Sequence, residues 1–144
     1  MAATGNMAKT RQRLAAIVGA VVTNTKLGLA NMSEGSEFVQ GLATAPAATI
    51  EPARMTGTEY NQQTKDFEVT VKLFYGYSAN EDFDYTAPED LIEQITAALL
   101  DFSKYGSGES VPYGSISWQV ADEMTDQDPH VVTYESTLDF KGAI

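Results

Sequence analysis

Cysteine is absent from this 144-residue chain, and histidine occurs once, as His130. Without thiols there are no disulfides, no thiolate zinc site and no cysteine nucleophile. Long hydrophobic runs are missing too, and the longest, Leu14 to Val22, is too short to span a bilayer. Catalysis needs a nucleophile, a tuned acid or base, or a metal, and these leave ionisable residues at recognisable spacings. The chain contains no such motif. We therefore expect a protein that acts through its surfaces, with no enzymatic activity, no cofactor and no metal.

Positive charge is also scarce: 9 basic residues stand against 20 acidic ones, for a net charge of −11. Its distribution is uneven. Lys9, Arg11, Arg13 and Lys26 give the first 26 residues +4 with no acid among them, and the rest of the chain carries −15. An acidic body repels phosphates, which argues against nucleic-acid binding. A bipolar chain can instead dock its basic end on an acidic neighbour, a second copy included.

The remaining composition is that of an ordinary globular protein, 43% hydrophobic and 20% charged, and the length suits one domain. Lys9 to Arg13 followed by Leu14 to Val22 has the look of a secretory leader, with Gly28-Leu29-Ala30 as a cleavage site. It is read here as a structural helix over 8–25. Leu14, Ile17, Val18, Val21 and Val22 fall on one face, and Gly28 is a plausible stop. Residues 31–49 read as an extended arm or loop, and residues 50–144 as a sheet holding a second helix at 87–104. An edge strand should start near Thr49 and resume after Pro52, from Arg54 to Tyr60, because edges tolerate proline.

The strand from Phe67 to Tyr77 alternates clearly, with Phe67, Val69, Val71, Leu73 and Tyr75 on one face, and Gly76 marks a frayed end or bulge. Thr86-Ala87-Pro88-Glu89 reads as a capping box. Leu91, Ile92, Ile95, Ala98, Leu99 and Phe102 make the helix stripe, and Gly106 its stop. Ile116, Trp118 and Val120 alternate as a half-buried strand. A turn at Asp126 to Pro129 precedes a last strand with Val132, Tyr134, Leu138 and Phe140 on its inner face. The pattern predicts an α+β domain: a mainly antiparallel four-stranded sheet, two helices packed on one face, and the arm.

Few residues invite a chemical reading. His130 lacks an evident orienting carboxylate and reads as a solvated turn residue. Asp122, Glu123, Asp126 and Asp128 miss the EF-hand register, and Gly106-Ser107-Gly108 lacks the residues of a phosphate loop. Trp118 and the tyrosines at 75, 77 and 85 are either interface anchors or core.

Element order and pattern together resemble the tail terminator (tail completion or neck) proteins of long-tailed bacteriophages. The residues that carry the likeness are the N-terminal helix with its arm and the strand Asp66 to Leu73. They continue with the capped helix Pro88 to Phe102, then the closing hairpin from Val131-Val132-Thr133-Tyr134 to Leu138-Asp139-Phe140-Lys141-Gly142. The resemblance implies a homo-oligomeric ring, usually a hexamer, at the head-proximal end of the tail tube in the virion. It would be assembled in the bacterial cytoplasm, contacting the tail-tube protein and a head–tail connector or stopper, with no membrane partner. On that reading Arg11, Arg13 and Lys26 face Glu81, Asp82, Asp84, Asp126 or Asp128 of a neighbouring subunit. Another head–tail, tail-tube or minor capsid protein and a small-ligand-binding module are the alternatives, with an Asp, Glu and Tyr enzyme site third.

Overall fold

Two strands whose apolar residues alternate along their whole length form the centre of the molecule. The computed structural model describes residues 3–28, 41–42, 45–58, 63–78, 80–126 and 128–143. In chain order the elements are α1 (Asn6–Gly19), β1 (Asn24–Leu27), β2 (Ala47–Ile50), β3 (Arg54–Thr58) and β4 (Thr64–Tyr77). They continue with α2 (Thr86–Leu100), a 3₁₀ turn (Phe102–Lys104), β5 (Pro112–Tyr113), β6 (Gln119–Met124) and β7 (His130–Ala143). Strands β4 and β7 pair antiparallel through 14 residues each, from Thr64 opposite Ala143 to Tyr77 opposite His130. That ribbon is about 45 Å long at the usual rise per residue.

Period-two alternation sends Phe67, Val69, Val71 and Leu73 of β4 to the same face as Val132, Tyr134, Leu138 and Phe140 of β7, all buried. Leu14, Ile17 and Val18 of α1 and Ile95, Ala98 and Leu99 of α2 join the same cluster. Both helices therefore pack on the sheet through one core. The other face is polar along most of its length, with Thr70 Oγ1 and Thr137 Oγ1 3.0 Å apart and Lys72 bridged to Glu51 at 2.9 Å. At its end Phe74 packs with Leu42, Ala47 and Val131 in a second small cluster. That explains the one large apolar residue in the polar half of β4's alternation.

The sheet has seven strands and is mixed, in the order β1-β2-β4-β7-β5, with β3 on β4 and β6 on β7. This corrects the four-stranded expectation, and each flank of the ribbon shows why. On one flank, β2 and β3 are two halves of one border, broken at exposed Pro52, which has no N–H to donate. Glu51 N–H still reaches Thr70 O at 2.9 Å before the break. On the other flank, β5 and β6 divide β7 between them. The extra strand, β1, takes its first two residues, Asn24 and Thr25, from the expected helix. Helix α1 stops at Gly19, where Val21 and Val22 N–H both turn back to Val18 O at 3.0 and 2.8 Å. Branched, polar Asn24 to Leu27 then runs parallel to β2. Gly28 ends that strand at φ +124 instead of ending the helix.

Other boundaries move for local reasons. Ala47 to Thr49, placed in the arm by sequence, are a buried strand; residues 31–40 and 43–44 of the expected arm lie outside the described residues. Helix α2 starts at Thr86, with no side-chain cap from Thr86; Asp84 Oδ1 accepts the Thr86 N–H at 3.0 Å and takes the capping role two residues earlier. The helix ends at Leu100, short of the expected 104, because Asp101 Oδ1 accepts from Ser103 N–H at 3.2 Å and starts the 3₁₀ turn. Phe102 consequently leaves the apolar stripe and is half exposed. Gly76 is paired with Val131, so it is neither frayed nor bulged. Residues 115–118 are irregular. Strand β6 begins only at Gln119, and its Val120 is 52% exposed.

Candidate interaction surfaces

Helix α1 holds the basic residues on the faces left over from the core. Its first two turns lie at the end of the ribbon where β7 finishes, since Asn6 Nδ2 donates to Ala143 O at 2.8 Å. Lys9 is exposed, and Arg11 donates its Nε to Glu51 O at 3.1 Å. Arg13 has a partner in its own chain. Its Nε and an Nη donate to the two carboxylate oxygens of Glu109 at 2.8 and 3.0 Å. Glu109 also accepts from Gly106 N–H at 2.9 Å. Lys26 is separated from these residues, on exposed border strand β1.

The Arg13 hydrogen bonds hold the Glu109 carboxyl below its ordinary value of 4.5. A lowered carboxyl contributes stability above pH 4.5 and loses it as the pH falls through the folded-state value. The Ser103 and Thr86 groups lower Asp101 and Asp84 in the same direction. On the alkaline side, burial pushes Tyr105 and Tyr134 up to about 12 from 10.0. A raised phenol stabilises the fold fully below pH 10 and ceases to do so as the pH passes about 12. The expected profile is a plateau between about pH 5 and 10 with a fall on both sides. Urea melts across pH will check it, and Glu109→Gln should flatten part of the acid limb.

The opposite end of the ribbon is aromatic and acidic. Phe83 lies 4.9 Å from Tyr77 and 4.7 Å from Tyr85, and Tyr77 stands edge-on to His130 at 5.1 Å between ring centres. Tyr77 OH donates to Glu123 at 3.0 Å. This ring cluster fixes the 80–85 loop against the start of β7, so Glu81, Asp82 and Asp84 share one end of the sheet with Asp126 and Asp128. All five are exposed. Two acidic segments far apart in sequence thus meet. The sequence pattern marked Tyr75, Tyr77 and Tyr85 but not Phe83 or His130 as their partners. The i, i+2 pairs Tyr75/Tyr77 and Phe83/Tyr85 are the local signal that was there to be read.

A third feature has no local signature. Between α2 and β6 runs an open groove of about 380 Å³ lined by Glu89, Ile92, Glu93, Trp118, Gln119, Val120 and Tyr134. Trp118 Nε1 donates to Thr96 Oγ1 at 3.0 Å and ties one wall to the helix. The Tyr134 hydroxyl is buried at its base with no hydrogen-bond partner among the described residues. No described group of three or more Asp, Glu or His side chains is arranged to hold a metal ion. Neither the known protein-family models nor the curated proteins include a match to this chain.

Proposed function

We propose that the protein is a structural component of a bacteriophage virion, a tail terminator whose copies close into a hexameric ring at the head-proximal end of the tail tube. The ring would stop tube growth on one side and receive the head connector or stopper on the other. The observation that carries this reading is the separation of charge. The acidic, aromatic loops sit at one end of the β4–β7 ribbon, whereas α1 starts at the other end and holds Arg11 level with its middle, beside Glu51, which bonds Thr70. Opposed patches on one subunit suit a heterologous contact, in which one surface meets a different surface of the next copy and the series closes into a ring.

Arg11 and Lys26 are the cations this reading uses first, against Glu81, Asp82, Asp84, Asp126 or Asp128 of the neighbour. Arg13 would join them only through the part of its guanidinium that Glu109 leaves over. Solution mass and electron microscopy test the proposal directly. The expected result is a ring of about six times the 15.6 kDa chain mass. Arg11→Glu should shift the protein toward smaller species while its circular dichroism stays unchanged. A chain that stays monomeric at high concentration would refute the ring.

The groove between α2 and β6 supports a second reading, a small-ligand-binding module, because it presents a buried hydroxyl with no partner among the described residues, between apolar Ile92, Trp118 and Val120 and polar Glu89, Glu93 and Gln119. A monomer whose melting temperature rises with a bound small molecule, and falls back in Tyr134→Phe, would favour it over the ring.

A further inference from the structure

Strands β1 and β6 lie on opposite borders of the described sheet, and their side chains differ in sign. Among the described residues no strand pairs with the outer side of β1 or of β6. Strand β1 exposes Leu27 at 48% and β6 exposes Val120 at 52%. Bare edges carry unpaired backbone N–H and C=O groups and invite a further strand unless charge or cover prevents it. Here β1 carries Lys26, and β6 carries Asp122 and Glu123. Two β1 edges would set lysine against lysine, and two β6 edges would set four carboxylates together. A β1 edge on a β6 edge sets opposite charges together.

Register extends the match to both faces. Leu27 aligns with Ile50, and Val120 with Tyr134, so both lie on the helix-bearing side. Lys26 aligns with Thr49, and Asp122 with Thr133, so both lie on the other side. Strand direction agrees as well. Strand β1 is parallel to β2, and the pairs β2–β4, β4–β7 and β7–β6 are each antiparallel. It follows that β1 and β6 run in opposite directions. Copies placed side by side in the same sense therefore meet in an antiparallel pair.

We propose that β1 of one copy adds to β6 of the next, so that the sheet continues across the subunit contact with Lys26 beside Asp122 and Leu27 beside Val120. This rests on the self-assembly reading above and names its contact. It uses two different surfaces of each chain, so each added copy leaves one β1 and one β6 free until a ring closes. The bulge between Val120 and Asp122 bends and twists the edge, which turns successive copies relative to one another.

Charge exchange in the full-length chain tests the contact, with mass in solution as the readout. Lys26→Glu alone and Asp122→Lys alone should each weaken association at least about tenfold, a typical scale for opposed like charges at a contact. An equimolar mixture of the two variants should assemble again, because each supplies the sign the other lacks. A merely structural role for Lys26 or Asp122 would not give rescue by mixing. As a second measurement, Leu27→Cys with Val120→Cys in this cysteine-free chain should yield disulfide-linked multimers on oxidation. If the wild type assembles while both exchanges assemble equally well and no linked species forms, the edge contact is wrong and self-assembly stands. If the wild type is monomeric throughout, both fall.

Discussion

Phe140→Ala is expected to cost about 3–5 kcal/mol of stability, measured as a lower urea midpoint. Phe140 is fully buried and lies directly across the ribbon from Phe67, with ring centres 5.4 Å apart and planes 14° apart. Truncation removes the apolar area, leaves a cavity that a two-strand ribbon cannot close, and abolishes the ring contact. Against a usual total of about 5–15 kcal/mol, that loss leaves a marginal domain. Phe140→Leu should cost much less, about 1.5 kcal/mol or under if the neighbours repack. A cycle with Phe67→Leu should find about 0.5–1.5 kcal/mol of coupling beyond area burial. A midpoint unmoved by the alanine change would mean that the ribbon is not the centre of the core.

Leu14→Asp should prevent cooperative folding altogether. Leu14 is completely buried within the cluster that joins α1 to the sheet. A carboxylate there would be desolvated with no cation to face it, one of the few single changes whose cost rivals a domain's whole stability. Arg11→Glu, three residues earlier on the same helix, changes charge by more but lies where the side chain reaches solvent. It should keep the fold and alter association only. Far-UV dichroism and urea melts of the two variants separate the roles of the two faces. A Leu14→Asp protein that melts like wild type would make α1 a detachable arm, and the charge it carries would no longer have a fixed position relative to the acidic end.

The contrast between these two substitutions also shows which surfaces matter for assembly. A charge on the outer side of α1 is held in place by an inner side buried against the sheet. The Arg13–Glu109 pair fixes part of that surface. Its geometry ties the helix to the loop after α2, and its partner is already supplied by the same chain. Exposed ion pairs across the polar face, such as Arg54 with Glu68 at 3.4 Å, contribute little by comparison.

Much of the fold could be read from local pattern. The alternation through Phe67 to Tyr75 placed β4, and Val132 to Phe140 placed the inner face of β7. Pro52 marked the interruption between β2 and β3, and the spacing of Ile95, Ala98 and Leu99 placed α2 against the core. What misled was chemistry that is equally compatible with two structures. Asn24 and Thr25 extend a helical pattern on paper, yet β2 offers them an edge to pair with. Thr86 has the right neighbours for an N-cap, yet Asp84 reaches its N–H first. Ile116 and Trp118 alternate with serines, but only from Gln119 onward does the chain meet β7.

Sequence alone determined which residues of β4, β7 and the middle of α2 face inward, because side-chain periodicity of two or three to four residues is a property of the local backbone. It determined too that charge is divided between the first 26 residues and the rest. The tertiary structure decided what those residues face. It brought Phe83 to Tyr77, set two acidic loops at one end of the ribbon and the start of α1 at the other, and put β1 and β6 on opposite borders of the described sheet. These pairings join segments tens of residues apart, and their register depends on long-range strand partners that no short window of sequence contains.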